Sequence, residues 1–417
     1  MNLIIKSATI LDPSSPYHQK TKDVLIENGL ISKISNSITN PSDYQEIKLE
    51  NLHISQGWFD TSVCFGEPGF EERETIENGL KTAAKSGFTA VAVNPNTFPV
   101  ADNKSAIEFI KNRALGSATS LYPIGNLTKG AQSHDLAELF DMQNSGAIAF
   151  GDYNQSIGNA NLLKIALQYT QNFDGLVLSF PQDNSIAVEG LVNEEENSTR
   201  LGLKGIPALA EEMQIARDLF ILEYTGGKLH IPTISTEKSV QLIKNAKKKG
   251  LNVTCSVAAH HLILTDDELK EFNSNTKVLP PLRISRDCKA LIKGLKEGVI
   301  DMITSDHNPI DIEHKKVEFF NAKFGTIGLE SLFGALNKVV GLETLIKCLT
   351  TQPKERFNIK YATIAEGNKA DLTLFNPDIE YIFTIKNIVS TSKNAVFMNK
   401  KMNGEVYGII ANNKAII

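Results

Sequence analysis

Short apolar runs alternate with longer amphipathic stretches through the middle of the chain. Stretches with apolar residues at helical spacing lie at 103–114, 160–171, 207–224, 236–249 and 285–297. Between them lie eight apolar runs of strand length, at 57–65, 90–93, 121–124, 147–150, 176–178, 228–231, 253–255 and 300–303. Apolar strands that alternate with helices are typical of a parallel sheet covered on both faces. The count of eight therefore predicts an α/β fold built on a closed (β/α)8 barrel.

The two ends of the chain have a different pattern. Residues 3–8, 24–26 and 30–34 are β-rich, and Glu27-Asn28-Gly29 between them is typical of a hairpin turn. Similar strands are predicted at 371–375, 407–411 and 415–417. We therefore expect one small β-sandwich composed of 1–54 and 365–417, around a barrel domain at 55–364.

Composition and charge exclude several classes of protein. The 417-residue chain is 41% hydrophobic and 22% charged, which is ordinary for a soluble globular protein. Its formal charge of −5 argues against nucleic acid or an anionic membrane as partner. No apolar run reaches the length of a membrane span, and no signal peptide is recognised. The four cysteines form no CxxC pair, which predicts a reducing, cytoplasmic setting.

Candidate chemistry lies at the ends of the predicted strands, which share one site in a barrel. Asp306 and His307 form the strongest acid/base signal, although a structural turn is the alternative. Asp152 is either a site acid or a loop acid. Cys64 could bind Zn²⁺ as a thiolate or lie buried and inert. Asn96 could present its amide to a polar ligand or belong only to a turn.

Three further histidines carry weaker signals. His230 lies inside a predicted strand and is expected to be a hydrogen-bonded core residue. His260 and His261 are adjacent, so in an extended chain their side chains would point in opposite directions.

Turn and strand-end motifs occur in an order that matches a known family. They include Glu67-Pro68-Gly69, Asn94-Pro95-Asn96-Thr97, Pro280-Pro281-Leu282-Arg283 and Ser305-Asp306-His307-Asn308-Pro309. With these motifs the chain resembles the dihydroorotases of the amidohydrolase superfamily over essentially its full length. The resemblance implies a metal-dependent-hydrolase barrel, a β-sandwich from both termini and a role in de novo pyrimidine biosynthesis.

The same resemblance implies which residues occupy the family's site. The metal-ligand positions are Ser62, Cys64, Asp152, Phe180, Thr233 and Asp306, and four of them carry histidine in the family. The substrate-gripping arginine matches Gly66, and an asparagine before the Pro-Pro-Leu-Arg motif matches Leu279. Asp306 matches the catalytic base, and Asn96 and His307 match residues that contact the substrate.

These substitutions predict a catalytically inactive member of the family without a metal centre. Such a protein would act as a structural or regulatory subunit, with aspartate transcarbamoylase or an active dihydroorotase paralogue as partner. We also expect a homo-oligomer.

Two alternatives stay open. In one, the chain is an active dihydroorotase, or a related cyclic amidohydrolase, that converts dihydroorotate and water to N-carbamoyl-aspartate. Its zinc would then be held by Cys64, Asp152 and Asp306. In the other, the emptied pocket senses a pyrimidine-like molecule through Asn96 and His307.

Overall fold

The computed structural model describes all 417 residues and confirms the barrel. Eight strands follow one another in chain order, and every neighbouring pair is parallel. They are Trp58–Val63, Phe88–Val93, Ser120–Gly125, Ala149–Phe150, Val177–Leu178, Leu229–Ile231, Val253–Ala258 and Met302–Thr304. Each overlaps one of the eight predicted runs.

Helices lie between the barrel strands as the amphipathic pattern predicts. Several begin at a side-chain cap: Thr75 accepts a hydrogen bond from the Asn78 amide, and Thr236 accepts one from the Ser239 amide. The helices are Ile76–Lys85, Lys104–Arg113, Leu139–Ser145, Ala160–Thr170, Asn184–Ala187, Glu196–Leu201, Ala208–Thr225, Glu237–Lys248, Ser285–Lys296, Ile312–Lys315, Leu332–Val340, Leu342–Leu349 and Thr351–Arg356. None of them is long and apolar enough to cross a membrane.

The strands at the two ends of the chain form one mixed eight-stranded sheet. The strand His53–Gln56 joins the two ends, because it pairs with Leu3–Leu11 on one side and Leu372–Ile382 on the other. This sheet therefore extends to residue 56, slightly beyond the expected boundary at 54. It has its own hydrophobic core of 16 buried residues. Its strands are Leu3–Leu11, Thr21–Glu27, Leu30–Ser35, Gln45–Ile47, His53–Gln56, Leu372–Ile382, Lys401–Ala411 and Lys414–Ile416.

An aromatic cluster joins the terminal sheet to the barrel. Trp58 is fully buried, and its ring centroid lies 5.1 Å from that of Phe333 and 5.6 Å from that of Phe375. Phe88 packs edge-on against the same indole at 5.9 Å. Such ring pairs each contribute about 0.5–1.5 kcal/mol beyond the area that they bury. The cluster therefore fixes the first barrel strand against both the sheet and the helix Leu332–Val340.

A buried network around Glu211 links the helix Ala208–Thr225 to the loop after the strand Leu229–Ile231. Glu211 accepts hydrogen bonds from the Ser235 amide at 2.8 Å and the Thr236 amide at 3.1 Å. The Arg283 guanidinium lies 3.7 Å from the Glu211 carboxylate and donates to Asn193 at 2.8 Å. Both charged side chains are only 2% exposed. Arg283, the last residue of the Pro-Pro-Leu-Arg motif, therefore has a structural role as the partner of the buried Glu211.

Replacing Arg283 with methionine should destabilise the protein by about 3–5 kcal/mol, because the Glu211 charge would stay buried without its partner. Urea unfolding measures the loss. Arg286→Met is the matched control, since the Arg286–Glu237 ion pair is exposed and such pairs contribute about 0–1 kcal/mol. Equal losses in the two variants would contradict a structural role for the buried pair.

Candidate functional site

One buried carboxylate connects the first and last barrel strands at their C-terminal ends. Asp60 accepts hydrogen bonds from the Ser305 amide at 2.9 Å, the Ser62 amide at 3.1 Å and the Thr304 hydroxyl. Burial raises the pKa of Asp60, and these donors oppose that rise. The first acid of the family's strand motif therefore closes the barrel.

A pocket lies at the same end of the barrel, where the family's chemistry is expected. Its cavity volume is about 20 Å³, enough for one or two water molecules. Asp306 is the only carboxylate that lines it. The apolar lining residues are Ile124, Leu178, Phe180, Pro232 and Leu279. The pocket is therefore largely filled by side chains.

Asp306 has few polar neighbours inside this pocket. The Ser62 hydroxyl donates to its carboxylate at 3.4 Å and accepts from the Asn94 side-chain amide at 3.0 Å. Burial raises the pKa of Asp306 to about 7, and the nearby Asp60 charge adds to this effect. A large fraction of Asp306 is therefore uncharged at neutral pH.

The six predicted ligand positions do not all meet. Ser62, Phe180, Thr233 and Asp306 line the pocket, whereas Cys64 and Asp152 do not. The Cys64 thiol is 3% exposed, and burial raises its pKa to about 12. Without a bound metal ion, the Cys64 side chain is therefore a neutral, buried thiol.

The Asp152 carboxylate is hydrogen-bonded to the 126–128 loop, in agreement with the loop-acid alternative. Its carboxylate accepts from the Leu127 amide at 3.0 Å and the Thr128 amide at 3.1 Å. The Thr128 hydroxyl and the Asn126 side chain donate to it as well. These donors use the lone pairs that a metal would need. The resemblance implied a ligand position here, and the structure does not place Asp152 as one.

Tyr153 is the residue that sequence reasoning missed. It follows Asp152 with a φ of +55° and lines the pocket. Burial, together with the neighbouring Cys64 and Asp306, raises the pKa of its phenol well above 10. A neutral aromatic side chain therefore lies close to two of the predicted ligand positions. Nothing in the local sequence predicts the left-handed backbone conformation that directs this side chain.

Asn96 and His307 do not line the pocket either. His307 is fully buried, and its Nδ1 accepts from the Gly328 amide at 3.2 Å. Burial lowers the pKa of His307 to about 4, so the imidazole is neutral. Asn96 lies beside the Cys64 thiol. The resemblance implied that both side chains contact the substrate. Neither lines this pocket, although Asn96 Oδ1 and His307 Nε2 are buried without a hydrogen-bond partner.

Of the two predictions made for the other histidines, one is confirmed and one is wrong. His230 is a hydrogen-bonded core residue, as predicted, because its ring nitrogens lie 2.9 Å from the Thr254 hydroxyl and 3.2 Å from that of Ser256. The predicted divergence of His260 and His261 is wrong. They share a 3-10 turn, Ala259–Leu262, which brings their ring centroids to 4.4 Å.

Gly66, which matches the family's substrate-gripping arginine, lies in a tight turn. A Cβ atom at this position would lie 2.0 Å from the Phe70 carbonyl oxygen. The Phe70 amide also donates to the Gly66 carbonyl at 2.8 Å, which closes a tight turn. The arginine found here in the family does not fit this turn. The 66–70 turn of this chain therefore leaves no room for a side chain at position 66.

The donor set does not fit the zinc centre that the fold family implies. No three His, Cys, Asp or Glu side chains approach one another closely enough to hold a metal ion. The alternative set of Cys64, Asp152 and Asp306 is not brought together. Structural and catalytic zinc sites need at least three protein ligands of these types.

Comparisons with known proteins place this architecture. The "Dihydro-orotase-like" family model matches residues 53–239. A dihydroorotase of Acetivibrio thermocellus is 37% identical over 422 aligned residues, which cover 100% of this chain and 99% of the relative. One of Pelotomaculum thermopropionicum is 38% identical with the same coverage. Among solved structures, the L-hydantoinase of Arthrobacter aurescens superposes with a TM-score of 0.86 at 21% identity, over 100% of this chain and 96% of that one.

The barrel and its terminal sheet thus have the architecture of the amidohydrolase superfamily. Within it, the chain belongs to the dihydroorotase family.

Gly66→Ala should destabilise the protein by about 1–3 kcal/mol, because the added methyl group meets a backbone carbonyl that cannot rotate away. Gly158→Ala is the control, since a Cβ at Gly158 would have no neighbour within 4 Å. It should change the free energy of unfolding by no more than about 0.5 kcal/mol. Two variants of equal stability would show that the 66–70 turn is not constrained.

Asp306→Asn should stabilise the protein at pH 7.5 and leave its stability unchanged near pH 3.5. A carboxyl group whose pKa is raised on folding binds more protons in the folded state between about pH 4 and 7. Its contribution to the free energy of unfolding therefore falls as pH rises through that window, and the amide removes this loss. Urea unfolding of both proteins across the window measures the difference. A variant less stable at pH 7.5 would contradict the buried, partly neutral carboxyl.

Proposed function

We propose that this protein is a non-catalytic member of the dihydroorotase family, acting as a structural or regulatory subunit in de novo pyrimidine biosynthesis. The observation that carries the proposal is the donor set around Asp306. Three pocket positions that carry histidine in the family carry other residues here: Ser62, Phe180 and Thr233. Without bound metal, water keeps its high pKa and forms no hydroxide nucleophile at neutral pH.

The size and lining of the pocket support the same proposal. Phe180 and Leu279 take space next to Asp306, and the cavity of about 20 Å³ is far smaller than the roughly 300–1,000 Å³ of small-molecule sites. The substrate carboxylate also loses its partner, because Gly66 has no side chain. Six altered family positions are harder to compensate than one: Ser62, Cys64, Gly66, Phe180, Thr233 and Leu279.

The retained motifs support a role for the folded protein itself. Asp60 closes the barrel, and the Glu211–Arg283 pair holds its far side. Each residue satisfies buried polar groups. A chain that needs its shape for assembly requires these contacts and does not require a metal.

The family resemblance suggests aspartate transcarbamoylase or an active dihydroorotase paralogue as the partner. In either case the subunit would contribute surface and not chemistry.

The alternative is an active dihydroorotase with a rearranged zinc site. The names of full-length relatives at 37% and 38% identity favour it. It would require Asp152 to leave four hydrogen-bond donors and approach Cys64 and Asp306.

Protein purified with zinc in the medium should contain well under one zinc per chain and show no turnover in either direction of the dihydroorotate reaction. Element analysis and a cyclisation assay measure both. The same preparation, mixed with a purified aspartate transcarbamoylase or an active dihydroorotase, should form a complex in sedimentation.

A purified dihydroorotase that retains its histidines is the positive control for metal content and turnover. Stoichiometric zinc with measurable turnover would establish the alternative. Absence of both, together with absence of any complex, would contradict the subunit role while leaving the loss of chemistry intact.

A further inference from the structure

A second cavity lies between the terminal sheet and the helix Leu342–Leu349. It shares no lining residue with the pocket around Asp306, and its volume is about 170 Å³. One water molecule needs about 10–15 Å³ of such space, so the cavity has room for a molecule of roughly ten non-hydrogen atoms. Leu11, Pro13 and Ile346 give it apolar walls. A small molecule with an aliphatic part therefore fits it.

The lining of this cavity includes a buried acceptor without a donor. Gln56 is only 3% exposed, and its Oε1 atom has no hydrogen-bond partner in the chain. The Gln56 side-chain nitrogen donates to the Asp12 carboxylate at 3.0 Å, which fixes the orientation of the amide, since a flipped amide would set two oxygens against each other. The Nδ1 atom of His18, in the same lining, is also buried without a partner. Because an unpaired buried acceptor is unfavourable, an N–H group from a bound molecule would satisfy a need that the chain leaves open.

The permanent charges in the lining are mostly negative. Burial raises the pKa of Asp12, but its hydrogen-bond donors outweigh that effect and lower the pKa overall, so the carboxylate is charged at neutral pH. Glu343 is the second carboxylate, and it accepts one hydrogen bond, from the Gln19 side chain at 2.9 Å. Lys347 is the only ammonium group in the lining. The acceptors and the charge balance both favour a ligand that donates hydrogen bonds and is positively charged.

We infer that this cavity binds a small organic cation, with a primary ammonium or guanidinium head on a short aliphatic stem. Such a head carries several N–H donors on one charged group. It would donate to Gln56 Oε1 and face the Glu343 carboxylate, while the stem packs against Leu11 and Ile346. The site is separate from the pocket around Asp306, so the inference does not depend on whether the barrel is catalytic.

Calorimetric titration of the full chain with three ligands of one shape tests the chemistry of the site. Butylguanidinium should bind with a stoichiometry of one per chain. Butylurea, which keeps the stem and the N–H groups without the charge, should bind several-fold more weakly, and the anion valerate should not bind. A chain that binds butylurea or valerate as tightly as butylguanidinium, or that binds none of the three, would overturn the inference.

Two charge-removing variants test where the cation lies. Glu343→Gln should weaken butylguanidinium binding about two- to fivefold, the range of an exposed ion pair, and Lys347→Gln should strengthen it, because it removes the opposing charge. Both residues are exposed, so both variants should fold. Lys104→Gln and Glu108→Gln are the matched controls, since they form an exposed pair at the same spacing on another helix and lie outside the lining. Opposite signs at Glu343 and Lys347, or equal effects in the controls, would contradict the site.

Two further variants test the cavity itself. Gln56→Met keeps the length of the side chain and removes the acceptor, so binding should weaken at least about tenfold. Because this variant also removes a donor to Asp12, urea unfolding first establishes that it is folded. Thr351→Phe enlarges a partly exposed lining residue and should abolish binding without touching that hydrogen bond. Either folded variant that binds butylguanidinium as tightly as the unaltered chain would overturn the inference.

Discussion

The buried carboxylate of Asp60 is the contact on which the barrel depends. The first and last strands share no regular ladder. Besides the Val63–His307 bridge and the bonds of Ser62 to Thr304 and Asp306, Asp60 joins them through donors on Thr304 and Ser305. A buried carboxylate is stable only while its hydrogen bonds are made. Loss of the Asp60 carboxylate would therefore weaken the contact between these strands as well as alter the site. The same strand carries Ser62 two residues later, where a change of side chain leaves the bonds from Thr304 and Ser305 to Asp60 in place.

The family positions that are retained differ from those that are substituted in whether a change would leave a buried group unpaired. Glu211 and Arg283 satisfy buried amides, hydroxyls and one another, so removing either leaves an unpaired buried charge. Phe180, by contrast, replaces a polar ligand with an apolar side chain that packs in the pocket and leaves no unpaired group. The fold can therefore persist after the chemistry of the pocket has been lost.

Sequence reasoning reached the fold because periodic patterns are local. All eight barrel strands, and the union of both chain ends in one small β unit, followed from apolar runs and turn residues. The expected β-sandwich is instead one mixed eight-stranded sheet. The convergence of Ser62, Phe180, Thr233 and Asp306 followed from the family resemblance. The position of Tyr153 did not, because it depends on a left-handed backbone angle that its neighbours do not announce. Gly66 was also beyond reach, since the Phe70 carbonyl meets it only in three dimensions. The sequence offered a loop acid as one alternative for Asp152, but not its donors in the 126–128 loop.

The loss of the metal centre can be observed directly by anomalous diffraction at the zinc edge, on crystals grown with excess zinc. Catalytic zinc lies about 2.0–2.3 Å from its nitrogen, oxygen or sulfur ligands. We expect no anomalous peak within bonding distance of Asp306 or Cys64, with Tyr153 and Phe180 remaining in the pocket. A peak bound by Asp306 together with Cys64 or Asp152 would contradict a non-catalytic site.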